Sequence, residues 1–200
     1  MKYFPKWLWI LPFLVYSLPP LGQHALVSSF GFRGVDFMTI PCFLLCLAAF
    51  FGLPFCLLFL LFRTPRSFWA KASILCVLIC FAGHYGLRLS GTLRRQAFLE
   101  LAERSEPLVQ AIKKYEVDHK APPSTLEKLV PAYLAAMPTT GMRMYPHYKI
   151  RVGDAAQKYL ENPWVLYVET PSGFANFDEF LYFPRQNYPQ GGWGGSLEPM

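Results

Sequence analysis

Residues 37–62 read FMTIPCFLLCLAAFFGLPFCLLFLLF, twenty-six consecutive positions without a charge. A bilayer hydrocarbon core about 30 Å thick is crossed by roughly 20 apolar residues in a helix. This stretch is therefore long enough to span a membrane with some tilt. Pro41 sits near its start, where a missing N–H costs little, whereas Pro54 is interior and predicts a kink. Working outward, 72–89 is a second apolar run that carries His84 and Arg88. Residues 7–21 form a third, shorter run interrupted by Pro12, Pro19 and Pro20, with Lys2 and Lys6 ahead of it. Gln23-His24-Ala25 is a poor cleavage site, so this segment is expected to be a retained span and not a signal peptide.

Charge divides the chain in the same place. Residues 1–91 hold seven bases and one acid, Asp36, whereas residues 92–200 hold twelve of each sign. The net charge of +6 thus belongs entirely to the apolar half. Its bases flank apolar runs and do not line an aromatic-interleaved face, which excludes nucleic acid as a partner and points to the lipid bilayer. Arg63, Arg66 and Lys71 sit between the two firmer spans, while the opposite connection, 22–36, offers only Arg33 against Asp36. The positive-inside rule then places the N-terminus and residues 63–71 in the cytoplasm and residues 92–200 outside it. Arg88, Arg94 and Arg95 act against that orientation.

All five cysteines lie in apolar runs, and Cys42/Cys46 and Cys76/Cys80 have the i,i+4 spacing of a shared helix face. Without His or carboxylate company they read as small buried hydrophobes, neither metal ligands nor a disulfide framework. His84 and Arg88 are also one helical turn apart and form the candidate intramembrane polar site, suited to an anion or a lipid head group. With no acid in any span, a proton relay has nothing to run on. Arg88 snorkelling to the interface is the simpler alternative.

From Thr92 to about His119, Leu93, Ala97, Leu101, Leu108, Ile112 and Tyr115 recur with helical spacing and predict an amphipathic helix. Ser105-Glu106-Pro107 predicts a kink or restart, with Ser105 capping. Ala121-Pro122-Pro123 breaks the helix, and Ser124 to Glu127 reads as a capping box opening a short helix through Leu129. Three runs, 145–152, 163–169 and 179–183, predict an antiparallel meander. The expected fold is a three-span helical membrane half (1–91) followed by an α+β domain (92–200) in which a long amphipathic helix packs on a small antiparallel sheet.

Residues 108–138, LVQAIKKYEVDHKAPPSTLEKLVPAYLAAMP, carry a resemblance. Ile112, Tyr115, Pro123, Thr125, Leu126, Leu129, Pro131, Tyr133, Leu134 and Pro138 resemble the segment after the stalk helix in type II secretion pseudopilins and related pilin-like proteins. The resemblance implies a pilin-like head over about residues 92–185. Residues 86–101 contain no leader-cleavage site of the kind those subunits carry, so the head is expected to be tethered by a polytopic anchor and not assembled into a filament.

The chain lacks Gly-x-Ser-x-Gly, His-Glu-x-x-His, a phosphate-binding glycine loop and Cys-x-x-Cys. His119 reads as a helix-end residue favourable to the dipole, and His147 as a packing residue in an aromatic strand. Asp178-Glu179 with Asp154 or Glu161 matches no calcium-ligand spacing. No catalytic residue, metal or cofactor is therefore assigned. Aromatic residues of the C-terminal part fill the sheet core, and those left over, with Trp164, Phe174, Tyr188 and Trp193 as candidates, form an interaction surface. The expected role is non-catalytic: binding or scaffolding in a bacterial inner membrane, with an envelope protein as partner. The alternative is a membrane-embedded enzyme or transport accessory using the His84/Arg88 face.

Overall fold

The computed structural model describes residues 4–31, 39–62, 65–172 and 177–188. These form two compact units, residues 1–27 with 31–95 and residues 28–30 with 96–200. Among the described residues, three helices are long and apolar enough to cross a membrane, and the chain is a membrane protein on that composition.

In the first unit a 3-10 turn at Lys6–Ile10 leads into helix α1, Leu11–Val27. Helix α2 spans Thr39–Phe62, and α3 begins at Arg66. The first span is longer than the expected 7–21, because α1 continues through Pro19 and Pro20. A proline removes the N–H that would bond the carbonyl four residues earlier, so the carbonyls of Val15 and Tyr16 lose their helical donors. Both face Gly86 of α3, where an added Cβ would lie 2.8 Å from the Tyr16 oxygen and 3.1 Å from that of Val15. Only glycine lets the two backbones approach this closely, and Cα–H···O contacts are the natural compensation. The core of this unit joins Val15 of α1, Cys42 and Ala49 of α2, and Leu75 and Ile79 of α3. The five cysteines are free thiols, with Cys42 buried and the others half-buried. Helix α2 turns most of its large side chains outward, among them Phe43, Phe50, Phe51, Phe55 and Leu61. That exposure is costly in water and natural against lipid tails.

Helix α3 runs unbroken from Arg66 to His119, so the second span and the amphipathic helix expected after Thr92 are one element. Pro107 lies inside it. Ser105 does not cap a new helix; its hydroxyl donates back to the Ala102 carbonyl at 2.7 Å. This bond occupies a backbone carbonyl in the turn where the proline ring interrupts the ladder. The helix ends where the Pro122-Pro123 pair disfavours further helical backbone, with Lys120 at φ 58° in the left-handed position typical of a residue just past a C-terminus.

The second unit is built on residues 96–119 of α3. Leu101, Leu108 and Ile112 are fully buried, as their spacing predicts, and Val109 and Ala111 are buried beside them. The buried stripe is wider than a single-sided helix would have because other segments pack beside it. The 3-10 turn Leu126–Leu129 contributes Leu126 and Leu129 to this core. Its N-cap is Thr125, not Ser124, so the expected capping box is absent. Instead the Glu127 carboxylate is held below its usual range by its own backbone N–H and by the Thr125 hydroxyl.

Strands β1 (Lys149–Val152), β2 (Trp164–Glu169) and β3 (Glu179–Tyr182) form an antiparallel sheet in the order β1-β2-β3. The first strand starts four residues later than predicted because Met142 and Tyr145 close a turn. A one-turn helix α4, Asp154–Gln157, fills part of the β1–β2 connection. The register sets Ile150 opposite Leu166, Val152 opposite Trp164 and Val168 opposite Phe180 on one face. Alternation puts Lys149, Arg151, Tyr167 and Glu179 on the other. There the Arg151 guanidinium lies 3.6 Å from the centre of the Tyr167 ring and forks onto Glu179 at 3.0 and 2.7 Å.

Candidate functional site

Two groups of residues invite a functional reading, one in each unit. The first is the sequence-derived pair His84 and Arg88. Both are exposed on α3, and their i,i+4 spacing puts them on one side of the helix. The His84 ring meets Tyr85 edge-on with centroids 5.4 Å apart, and the Arg88 carbonyl accepts a hydrogen bond from Thr92 Oγ1 at 3.1 Å. No cluster of three or more His, Cys, Asp or Glu suited to a metal ion occurs among the described residues.

The second group lies at the C-terminal turn of α3, where sequence reading assigned His119 only a helix-end role. Tyr115 and His119, four apart, stack face to face with ring centroids 4.0 Å apart and planes 11° from parallel. Tyr133 enters from the turn after the 3-10 segment, its ring 5.4 Å from Tyr115, and donates its hydroxyl proton to Asp118 Oδ2 at 2.9 Å. His119 Nδ1 lies 3.1 Å from the Tyr115 carbonyl and 3.4 Å from Tyr133 Oη. A carbonyl only accepts, so the contact to Tyr115 requires a proton on Nδ1. Lys114 Nζ sits 5.9 Å over the Tyr133 ring. Partial desolvation first, and then the Asp118 carboxylate, hold the Tyr133 phenol above its ordinary range. The cluster therefore offers a flat Tyr115–His119 stack edged by the Tyr133 ring, the Asp118 carboxylate and the Lys114 ammonium, a chemistry suited to recognising a polar partner surface. The i,i+4 spacing of Tyr115 and His119 is a signal that could have found this pair; Tyr133 carries none, because only the fold of the intervening turn brings it there.

The residues expected to form an aromatic interaction surface separate. Trp164 is fully buried, stacked on Tyr182, and its indole N–H donates to Glu116 at 2.9 Å. It belongs to the core and not to a surface patch, because the β2 register points it at the buried face. Tyr188 is half-buried; its ring stacks on Phe183 at 4.9 Å and its hydroxyl accepts the Phe183 N–H. Phe174 and Trp193 lie outside the described residues. Asp154 opens α4, Glu161 follows it in the β1–β2 connection, and Glu179 is taken by Arg151.

No protein-family model matches the chain. Nor does any curated protein match it. The solved structures likewise contain no match.

Proposed function

We propose that this protein is a multi-pass protein of a bacterial inner membrane that presents a non-catalytic, pilin-like domain outside the cytoplasm for binding or scaffolding. The observation that carries the reading is α3. One helix is apolar over its first part and amphipathic over residues 96–119, where its Glu116 and Phe98 meet Trp164 and Phe180 of a three-stranded antiparallel meander. A helix of that make-up backed by a small antiparallel sheet is the arrangement that the pseudopilin resemblance of residues 108–138 implies. The partner is an envelope protein, and the Tyr115–His119–Tyr133 cluster, which lies within those residues, is the surface offered to it. That functional step is drawn from fold and surface chemistry, since a fold alone does not fix an activity.

Orientation is tested with single cysteines in a background whose five native cysteines are replaced. Phe177→Cys, at a position 92% exposed, is expected to react with a membrane-impermeant maleimide in intact cells. Ser67→Cys, beside Arg66 and Lys71, is expected to react only after permeabilisation. The opposite pattern overturns the placement. Scaffolding is tested by crosslinking in intact membranes, where Tyr133→Ala is expected to abolish a specific adduct that wild type and Val117→Ala retain.

The second reading, a membrane-embedded enzyme or transport accessory, is favoured by one observation: His84 and Arg88 both reach the outer surface of a span. A His84→Ala/Arg88→Ala double variant distinguishes the two. Loss of the cellular phenotype with the crosslink intact supports membrane chemistry; an unchanged phenotype supports the scaffold.

A further inference from the structure

One end of the first unit combines aromatic rings and bases in a way the proposed function does not use. Phe4 packs against Trp9 at 5.8 Å and against Phe68 at 5.6 Å; Phe68 meets Trp69 edge-on, and Trp69 stacks on Phe59 at 4.7 Å. These contacts tie the 3-10 turn before α1, the last turns of α2 and the first turn of α3 into one aromatic frame. Trp7 and Phe62 stand exposed beside it in sequence, at 67% and 77%. Lys6, Arg66 and Lys71 rise from the same segments, and all three are exposed.

Charge complementarity identifies the occupant. Asp36 is the sole acid among residues 1–99, and it falls in the sequence between α1 and α2, away from the segments that carry these bases. No ion pair among the described residues involves Lys6, Arg66 or Lys71. Tryptophan and aromatic residues at a helix end mark the headgroup level of a bilayer, and bases there attract anionic lipid by about 1 kcal/mol each, roughly a fivefold preference per charge. We propose that this end is a binding site for anionic phospholipid: Lys6, Arg66 and Lys71 hold the phosphate-bearing head group, and Trp7 and Phe62 receive the upper acyl chains. The aromatic frame keeps the bases in one place, which distinguishes the site from attraction of a loose basic tail. The inference rests on the membrane reading alone and is independent of orientation and of the pilin-like domain.

The test uses the full-length protein reconstituted in phosphatidylcholine vesicles. Tryptophan quenching is titrated with brominated phosphatidylglycerol and, separately, with brominated phosphatidylcholine. Wild type is expected to favour phosphatidylglycerol by at least about fivefold, and Lys6→Gln/Arg66→Gln/Lys71→Gln to bind the two lipids equally. Lys6→Arg/Lys71→Arg keeps the charge and is expected to keep the preference, which guards against a variant that merely misfolds. Added inorganic phosphate at the lipid concentration is expected to leave the preference unchanged. Equal quenching in wild type, a preference that survives the triple substitution, or one lost instead in Arg94→Gln/Arg95→Gln overturns the proposal. Failure to incorporate into vesicles at all overturns the membrane reading instead.

Discussion

Tyr148 is buried in the second unit, and its hydroxyl has no hydrogen-bond partner among the described residues. It lines a small cavity with Ser105, Leu166, Phe180 and Tyr182. Burial pushes its phenol up to about 12, with Arg104 opposing the rise. An orphaned buried hydroxyl costs about 1–3 kcal/mol, so Tyr148→Phe is expected to raise stability by about 1 kcal/mol in denaturant melts of the detergent-solubilised protein. The pH dependence has a definite sign. The folded pKa lies above the unfolded value near 10, so the contribution is intact below about pH 10 and is lost as pH rises through about 12. The wild type is therefore expected to lose stability over that window more steeply than Tyr148→Phe. Trp164 is the opposite case, fully buried and fully satisfied by Glu116. Trp164→Ala removes the largest core side chain and strips Glu116 of its donor, at a cost of about 3–5 kcal/mol; near-native melting of that variant would contradict the core assignment.

Between elements, the decisive contact is that of α1 with α3 at Gly86. Two adjacent prolines strip donors from two carbonyls, and a glycine on the neighbouring helix is placed where those carbonyls need company. Gly86→Ala is expected to destabilise the first unit by about 1–3 kcal/mol, because backbone cannot yield as a side-chain end would. Gly91→Ala, where nothing lies within 4 Å, is expected to be neutral or to stabilise by up to about 1 kcal/mol through helix propensity. Thermal melts of the two variants in the same detergent decide the matter. Gly141 is constrained differently: its φ of 75° and the Arg104 guanidinium packed against it, which donates to the Thr140 carbonyl at 3.0 Å, leave no place for a side chain. The elements themselves were largely legible. Hydropathy locates the three spans, and aromatic and β-branched content between turn residues locates all three strands to within a few residues. Ser105–Pro107 carries local signals for a kink or a new helix, yet α3 continues through it. Pro19 and Pro20 ordinarily end helices, yet α1 runs on past Leu21 to Val27. In both places the fold outside the segment overrules the local preference. The candidate site was legible only in part, since Trp164 shares its aromatic, β-branched neighbourhood with surface residues and only the strand register tells the faces apart.

For the molecule as a whole, burial in each unit argues for two solvents. The first unit leaves Phe43, Phe50, Phe51 and Phe55 outside, whereas the second encloses Trp164, Val165, Leu166 and Val168 within its sheet. After carbonate extraction and ultracentrifugation the full-length chain is therefore expected in the pellet; recovery in the supernatant would sink the assignment of residues 37–62 to lipid. The three-stranded sheet has a consequence of its own. Among the described residues its outermost strands are β1 and β3, and each is four residues long. On β1, Lys149 and Arg151 are committed to Glu169 and Glu179 on the strands behind. A second molecule adding antiparallel along β1 would bring cation against cation. Short edges of this kind offer little template for runaway ribbon growth, so the sheets resist fusing when copies of the protein are crowded into a two-dimensional film.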